Sequence, residues 1–163
     1  MSGDYVSQSG AVVVDPYRYL LWRFWNPDLP HLLWILLNPS TADERGDDPT
    51  LRRVHGFSQR FGFGGLEVVN LFALRSADPR ALARMVDPVG PENDDYIREA
   101  VARAAKIIVA WGSYGALNAR DHCILAQLAS PVFCLGITRN GNPRHPLYLQ
   151  GDTALRSFPL DGR

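Results

Sequence analysis

The sequence predicts one α/β domain: a three-layer α/β/α sandwich on a mainly parallel sheet, with an antiparallel strand pair at one edge. Three observations lead there. Strand-like runs at 32–37, 66–69, 106–111 and 131–135 include continuous apolar stretches, as in strands buried on both faces. Segments with helical spacing separate these runs, giving the strand–helix alternation of a parallel sheet with helices on both faces. The 163 residues, 46% apolar and 21% charged, suffice for one core without staples.

In chain order, residues 11–15 and 17–25 read as two strands, the second rich in aromatics, with Asp15-Pro16 between them. Asn26-Pro27-Asp28-Leu29-Pro30 is a turn. The apolar strand 32–37 stops at Asn38-Pro39-Ser40. Asp48 then caps a helix with Pro49 in its first turn. Leu51, Val54, Phe57 and Phe61 follow at helical spacing, and Gly62, Gly64 and Gly65 end the run. Strand 66–69 runs into Asn70-Leu71. A short helix over 78–85 and a longer one over 91–105 follow, the latter with Ile97, Ala100, Val101 and Ala104 on one face. Strand 106–111 breaks at Gly112-Ser113 into a helix over 114–129, which carries Leu117, Ile124, Leu125 and Leu128. Strand 131–135 leads to an irregular loop over 136–148. The single domain is expected to span 1–163, with 1–10 and 153–163 as flexible tails.

Composition excludes several classes. The longest apolar run has six residues, against roughly 20 for a membrane span. The polar N-terminus lacks a signal-peptide plan. Seventeen basic and seventeen acidic residues cancel, which argues against coating nucleic acid by bulk charge while leaving room for a local basic groove. Cys123 and Cys134 show no CxxC spacing, so neither a zinc site nor a disulfide framework is expected, and the setting is a reducing cytoplasm. Trp22, Phe24, Trp25 and Trp34 read as core or edge packing, and His31, His55 and His122 have no partner pattern.

Ligands of such sheets bind beyond the carboxyl ends of the strands. Those ends are Asn38-Pro39-Ser40-Thr41, then Asn70 through Arg75, then Trp111-Gly112-Ser113-Tyr114-Gly115, then the loop with Arg139, Arg144 and His145. An amide both donates and accepts, so Asn38 and Asn70 can read an uncharged polar edge such as a nucleobase, or simply cap a turn. Gly112-Ser113 at a helix start offers backbone N–H groups to a phosphate or carboxylate, though it is also a common strand-to-helix turn. The acidic stretch from Asp43 through Glu44 and Asp47 to Asp48 reads as a solvated loop supplying helix caps, or as carboxylates for a divalent metal.

Two resemblances attach to these segments. Leu37-Asn38-Pro39-Ser40-Thr41-Ala42-Asp43, Asp48-Pro49-Thr50-Leu51-Arg52-Arg53, Val69-Asn70-Leu71-Phe72-Ala73-Leu74-Arg75, Gly90-Pro91-Glu92-Asn93-Asp94, Ala110-Trp111-Gly112 and His145-Pro146-Leu147-Tyr148 together resemble a bacterial family catalogued as a domain of unknown function, number sixteen-forty-three. More distantly, the four strand ends resemble the uracil-DNA glycosylase superfamily. Asn38-Pro39 is similar to its Gly-x-Asp/Asn-Pro motif, in the Asn form of the mismatch-specific and thymine-type branches. Asn70 is similar to the Asn that reads a flipped base. Trp111-Gly112-Ser113-Tyr114-Gly115 nearly repeats Trp-Gly-x-x-Ala. His145-Pro146-Leu147-Tyr148 is similar to the final His-Pro-Ser-Pro-Leu loop. Leu36 stands where the motif Gly would lie, and the final loop lacks the Ser and second Pro.

This second resemblance implies hydrolysis of a nucleobase–sugar N-glycosidic bond, with a damaged or mismatched base flipped out of DNA. Asn38 would orient water and His145 would donate to the departing base; an amide is a poor base, so Asp43 or Glu44 could supply a carboxylate instead. Asn70 would read the base. Pro39, Ser40, Thr41 and Trp111 would line the pocket. Arg75, Arg144 and the N–H groups of Gly112 and Ser113 would hold phosphates, and Leu147 or Tyr148 would fill the emptied stack. That chemistry requires no metal or redox cofactor. Two readings stay open beside it: a non-catalytic nucleotide or nucleic-acid-binding module on the same fold, and a metal-dependent phosphate-ester enzyme using Asp43, Asp47 or Asp48.

Overall fold

The computed structural model describes residues 8–129 and 131–159. Seven strands form one sheet: β1 (Gln8–Val14), β2 (Tyr17–Phe24), β3 (His31–Leu36), β4 (Gly65–Asn70), β5 (Lys106–Val109), β6 (Val132–Cys134) and β7 (Arg156–Phe158), in spatial order β1-β2-β4-β3-β5-β6-β7. The helices are α1 (Pro49–Arg60), α2 (Asn93–Arg103) and α3 (Arg120–Leu125), with 3-10 turns at Pro79–Arg84, Ser113–Ala119 and Pro146–Tyr148. No described helix is long and apolar enough to cross a membrane.

The sheet is mixed, which corrects the expectation of a mainly parallel one. β4, β3, β5 and β6 run parallel through three ladders, and three further ladders are antiparallel. The β1–β2 hairpin docks antiparallel on β4, as the expected edge pair does. β7 returns antiparallel onto β6 at the far edge. Parts of both expected tails are therefore paired: Gln8, Ser9 and Gly10 in β1, and Arg156–Phe158 in β7. Residues 1–7 and 160–163 lie outside the described residues.

Strand β3 explains the core. Its side chains alternate between two apolar clusters, as the period-two geometry of a strand requires. Leu33, Ile35 and the following Leu37 join Ile97 and Ala100 of α2 and Ile124 and Leu125 of α3. Leu32, Trp34 and Leu36 join Leu51, Val54 and Phe57 of α1. Asp48 caps α1 as expected, its Oδ1 accepting from the Leu51 N–H at 2.8 Å, with Pro49 at the first turn. The helix expected over 114–129 is broken. Asn118 and Ala119 both take φ of 55°, and that left-handed step divides a 3-10 turn from a six-residue α3. The step brings Arg120 under the sheet, where its Nε donates to the Leu71 carbonyl at 2.8 Å.

The sheet buries charged groups as well as apolar ones. Glu67 of β4 is 4% exposed; it accepts from Arg103 Nε at 3.0 Å and Nη2 at 2.6 Å, with His31 Nε2 at 3.1 Å. Burial raises its pKa, but the His31 and Arg103 contacts outweigh that and bring it down to about 2. A carboxyl that ionises more readily folded than unfolded stabilises the fold fully above its ordinary value of 4.5, and the contribution is lost as pH falls through about 2. The urea midpoint of the native chain should therefore drop between those two values. Glu67→Gln should lose about 2 kcal/mol at neutral pH, because Arg103 is half exposed and a fully buried pair would cost more, and its midpoint should vary less over the same acid range.

Candidate functional site

A cavity of about 460 Å³ opens at the carboxyl ends of the parallel strands, on the face covered by α1. Its volume falls within the range of small-molecule sites. Eleven of the thirteen site residues expected from the sequence line it: Asn38, Pro39, Ser40, Asn70, Trp111, Gly112, Ser113, Arg144, His145, Leu147 and Tyr148. Thr41 is exposed and does not. Arg75 does not either; its Nε reaches the Ser40 carbonyl at 3.4 Å, behind the β3–α1 loop.

Asn70, the last residue of β4, follows Leu66 and Val68 onto the α1 face by strand alternation. It is 1% exposed, and neither end of its amide meets a hydrogen-bond partner. Leaving such groups unpaired costs about 1–3 kcal/mol each, a cost a ligand with matching groups would remove. The backbone beside it is tightly held. Asn93 Nδ2 donates to the Asn70 carbonyl at 2.9 Å and to the Leu71 carbonyl at 3.2 Å, and Arg120 adds its bond to Leu71. Asn93 belongs to the Gly90-Pro91-Glu92-Asn93-Asp94 motif, to which sequence reasoning attached no task.

Asn38 has a fixed orientation. Its Nδ2 donates to the Ser76 carbonyl at 2.9 Å and, more weakly, to those of Pro39 and Leu74 at 3.2 and 3.4 Å. Its Oδ1 takes no hydrogen bond among the described residues, so the accepting end is the one left for a ligand. His145 is also fixed. Its Nδ1 accepts from the Leu147 N–H at 3.2 Å, capping the 3-10 turn Pro146–Tyr148. The neutral ring therefore carries its proton on Nε2 and presents a donor. Burial lowers its pKa below the ordinary histidine value although Asp48 opposes this, so the neutral form prevails at pH 7.

Arg18 escapes the sequence reading, in which Asp48 is a helix cap or a metal carboxylate and not part of this site. Arg18 of β2 is 4% exposed, with Nη1 donating to the Ala42 carbonyl at 2.9 Å and Nε without a partner. Among the described residues Asp48 is the cavity's only carboxylate. Its Oδ2 accepts from the Ser40 hydroxyl at 2.7 Å. Burial pushes its pKa up, but the Leu51 N–H, the Ser40 hydroxyl and the Arg18 charge together hold it below the usual carboxylate range. Asp43 and Glu44, the carboxylates considered instead, lie outside the cavity. Asp43 Oδ1 accepts from the Arg45 and Gly46 N–H groups, and Glu44 faces Arg45. Asp47 pairs with Arg23 at 3.0 Å. Among the described residues no three His, Cys, Asp or Glu side chains gather as a metal-binding group.

The third strand end also differs from its expected use. The Gly112 N–H, expected to face a phosphate, donates instead to the Pro143 carbonyl at 2.8 Å and ties the final loop to β5. Gly112 has φ of 74°, a conformation that suits glycine. Leu36, in place of the motif glycine, lines the cavity with an aliphatic wall. At the mouth Tyr114, Leu147 and Tyr148 are exposed, Tyr148 at 83%. Gly115 backs the Trp111 indole: a Cβ there would lie 2.1 Å from Cδ1. Gly115→Ala should displace the indole, change the near-ultraviolet circular dichroism and lower stability by about 1–3 kcal/mol in urea titration.

Comparison with known proteins adds one match. A family model described as "Protein of unknown function (DUF1643)" matches residues 18–147. No curated protein and no solved structure gives a significant match. The matched span runs from Arg18 on the cavity wall to Leu147 at its mouth, and on that match the chain belongs to the DUF1643 family.

Proposed function

We propose that the cavity recognises a nucleobase and that the protein hydrolyses an N-glycosidic bond, acting on a damaged or mismatched base in DNA. The fold would be a three-layer α/β/α sandwich of the uracil-DNA glycosylase type. The observation that carries this reading is the Asn70 amide, shut away from solvent with both ends unpaired, in one cavity with an acceptor on Asn38 and a donor on His145. An amide with both functions free is suited to a heterocycle edge that itself donates and accepts.

In this mechanism Asn38 Oδ1 orients a water toward the sugar carbon. The carbon–nitrogen bond breaks with its electron pair passing to the base, and the Nε2–H of His145 donates to the atom that gains the charge. A preorganised donor of this kind is worth about 2.7–4 kcal/mol. The water oxygen bonds to the carbon, and its proton passes to the medium. The ionised Asp48 favours positive charge on the sugar. Leu147, Tyr148 and Tyr114 at the mouth are apolar tips suited to hold a base stack open.

A binding module on the same fold is the second reading. The spent Gly112 N–H favours it, because one expected phosphate donor is already satisfied.

Oligonucleotides carrying uracil, hypoxanthine, xanthine or mismatches, scored for abasic sites, test the proposal. Asn70→Ala should abolish base release. Asn38→Ala should slow it by about 10²-fold with little loss of affinity; equal loss of rate and affinity would favour the binding module, and no abasic sites across the panel would remove the hydrolase. Because His145 acts neutral with its pKa lowered, the pH–rate profile should stay level from neutral pH to below the ordinary histidine value before changing in acid.

A further inference from the structure

A β-bulge decides where Arg18 points. In the β1–β2 ladder Val12 pairs with Leu20 and Val13 with Arg18, so Tyr19 has no partner of its own there. Strand alternation counted from Leu21, which faces α1, would put Tyr19 on that face and Arg18 on the other with Leu20. The extra residue reverses this. Tyr19 stacks on Tyr96 of α2, and Arg18 lines the cavity on the α1 side.

The guanidinium placed there is only partly used. Nη1 donates to the Ala42 carbonyl at 2.9 Å, while Nε and Nη2 meet no acceptor among the described residues. Those two nitrogens share one edge of the group and donate in parallel, the geometry that grips two oxygens of one anion. Arg103 shows the same edge in use: its Nε and Nη2 each hold one oxygen of Glu67, at 3.0 and 2.6 Å. Asp48 does not do this for Arg18, because its oxygens are turned to the Leu51 N–H and the Ser40 hydroxyl. Arg18 is 4% exposed, and a cation buried to that degree without a paired anion is costly. Burial lowers its pKa to about 10, with Asp48 opposing, so it stays charged at neutral pH. Arg18 and Arg144 against Asp48 leave the cavity wall with one positive charge in excess.

We propose that Arg18 anchors an oxyanion subsite in the cavity, which takes a singly charged ligand group with two equivalent oxygens, a carboxylate or a phosphodiester. The inference goes beyond the nucleobase reading and stands without it. The single excess charge favours such a group over a dianion, whose second charge Asp48 would repel.

Calorimetric titration of the full chain with acetate and with dimethyl phosphate, at constant ionic strength and against chloride, tests this and separates the two sources. At least one of them should bind with millimolar affinity or better and move the Arg18 Nε–H resonance in proton–nitrogen spectra. Arg18→Met should weaken that binding at least about tenfold. Arg18→Lys, which keeps the charge without the fork, should weaken it as well. Thermal denaturation checks that the variants fold, and the titration of the unaltered chain needs no variant. Tighter binding of acetate assigns the carboxylate, and tighter binding of dimethyl phosphate assigns the phosphodiester. Binding of neither, chloride matching both, or undiminished binding in a folded Arg18→Met overturns the proposal and leaves the nucleobase reading standing. Anion binding with no abasic sites across the oligonucleotide panel keeps the proposal and removes the hydrolase.

Discussion

The site depends on how the carboxyl end of β4 is held. Asn93 at the start of α2 donates to the carbonyls of Asn70 and Leu71, and Arg120 at the start of α3 donates to that of Leu71, from the face opposite the cavity. A strand end leaves carbonyls without ladder partners, and buried ones must be satisfied. Side chains from two helices do this here, so the strand continues rigidly to its last residue. The Asn70 amide can then project to the α1 face without the backbone turning to meet it. Asp94, beside Asn93, pairs with Arg120 and links the two clamps.

The rest of the cavity follows from the same division of labour. One face of the sheet end supplies hydrogen bonds that fix the backbone, and the other presents side chains. Asn38 spends its donors on Leu74 and Ser76 in the segment after β4, so two strand ends are tied together while its oxygen stays available. Gly112 does the equivalent for the third strand end and the last loop. Arg18 and Asp48 place opposite charges in the wall without a direct bond between them, which leaves the guanidinium Nε unsatisfied.

Much of this was legible in the sequence. Strands β3 and β5 were readable because continuous apolar runs have few other uses, and the rule that ligands sit beyond strand ends then brought together residues as distant as Asn38 and His145. Asp48 was recognised as a helix cap, but a cap leaves one carboxylate oxygen free, and where that oxygen points is a tertiary fact. Arg18 was invisible because an arginine between two tyrosines in an edge hairpin reads as a solvated position; only the docking of β2 on β4 buries it. The helix over 114–129 failed because its apolar spacing was real while the backbone at Asn118 and Ala119 was free to reverse hand. β7 is three residues long, too short for any period to show.

An amide kept unsatisfied inside a close-packed wall has a price in marginal stability. Asparagine and leucine carry the same number of side-chain heavy atoms in the same branched pattern, and a leucine at 70 would meet the neighbouring Leu36, Leu51 and Val68 as one more aliphatic group. Selection on folding alone would favour that exchange, since it removes two unmet polar atoms and adds apolar contact. A thermostabilised descendant of this chain would therefore be expected to acquire an apolar residue at this position early and to lose the unpaired amide in doing so.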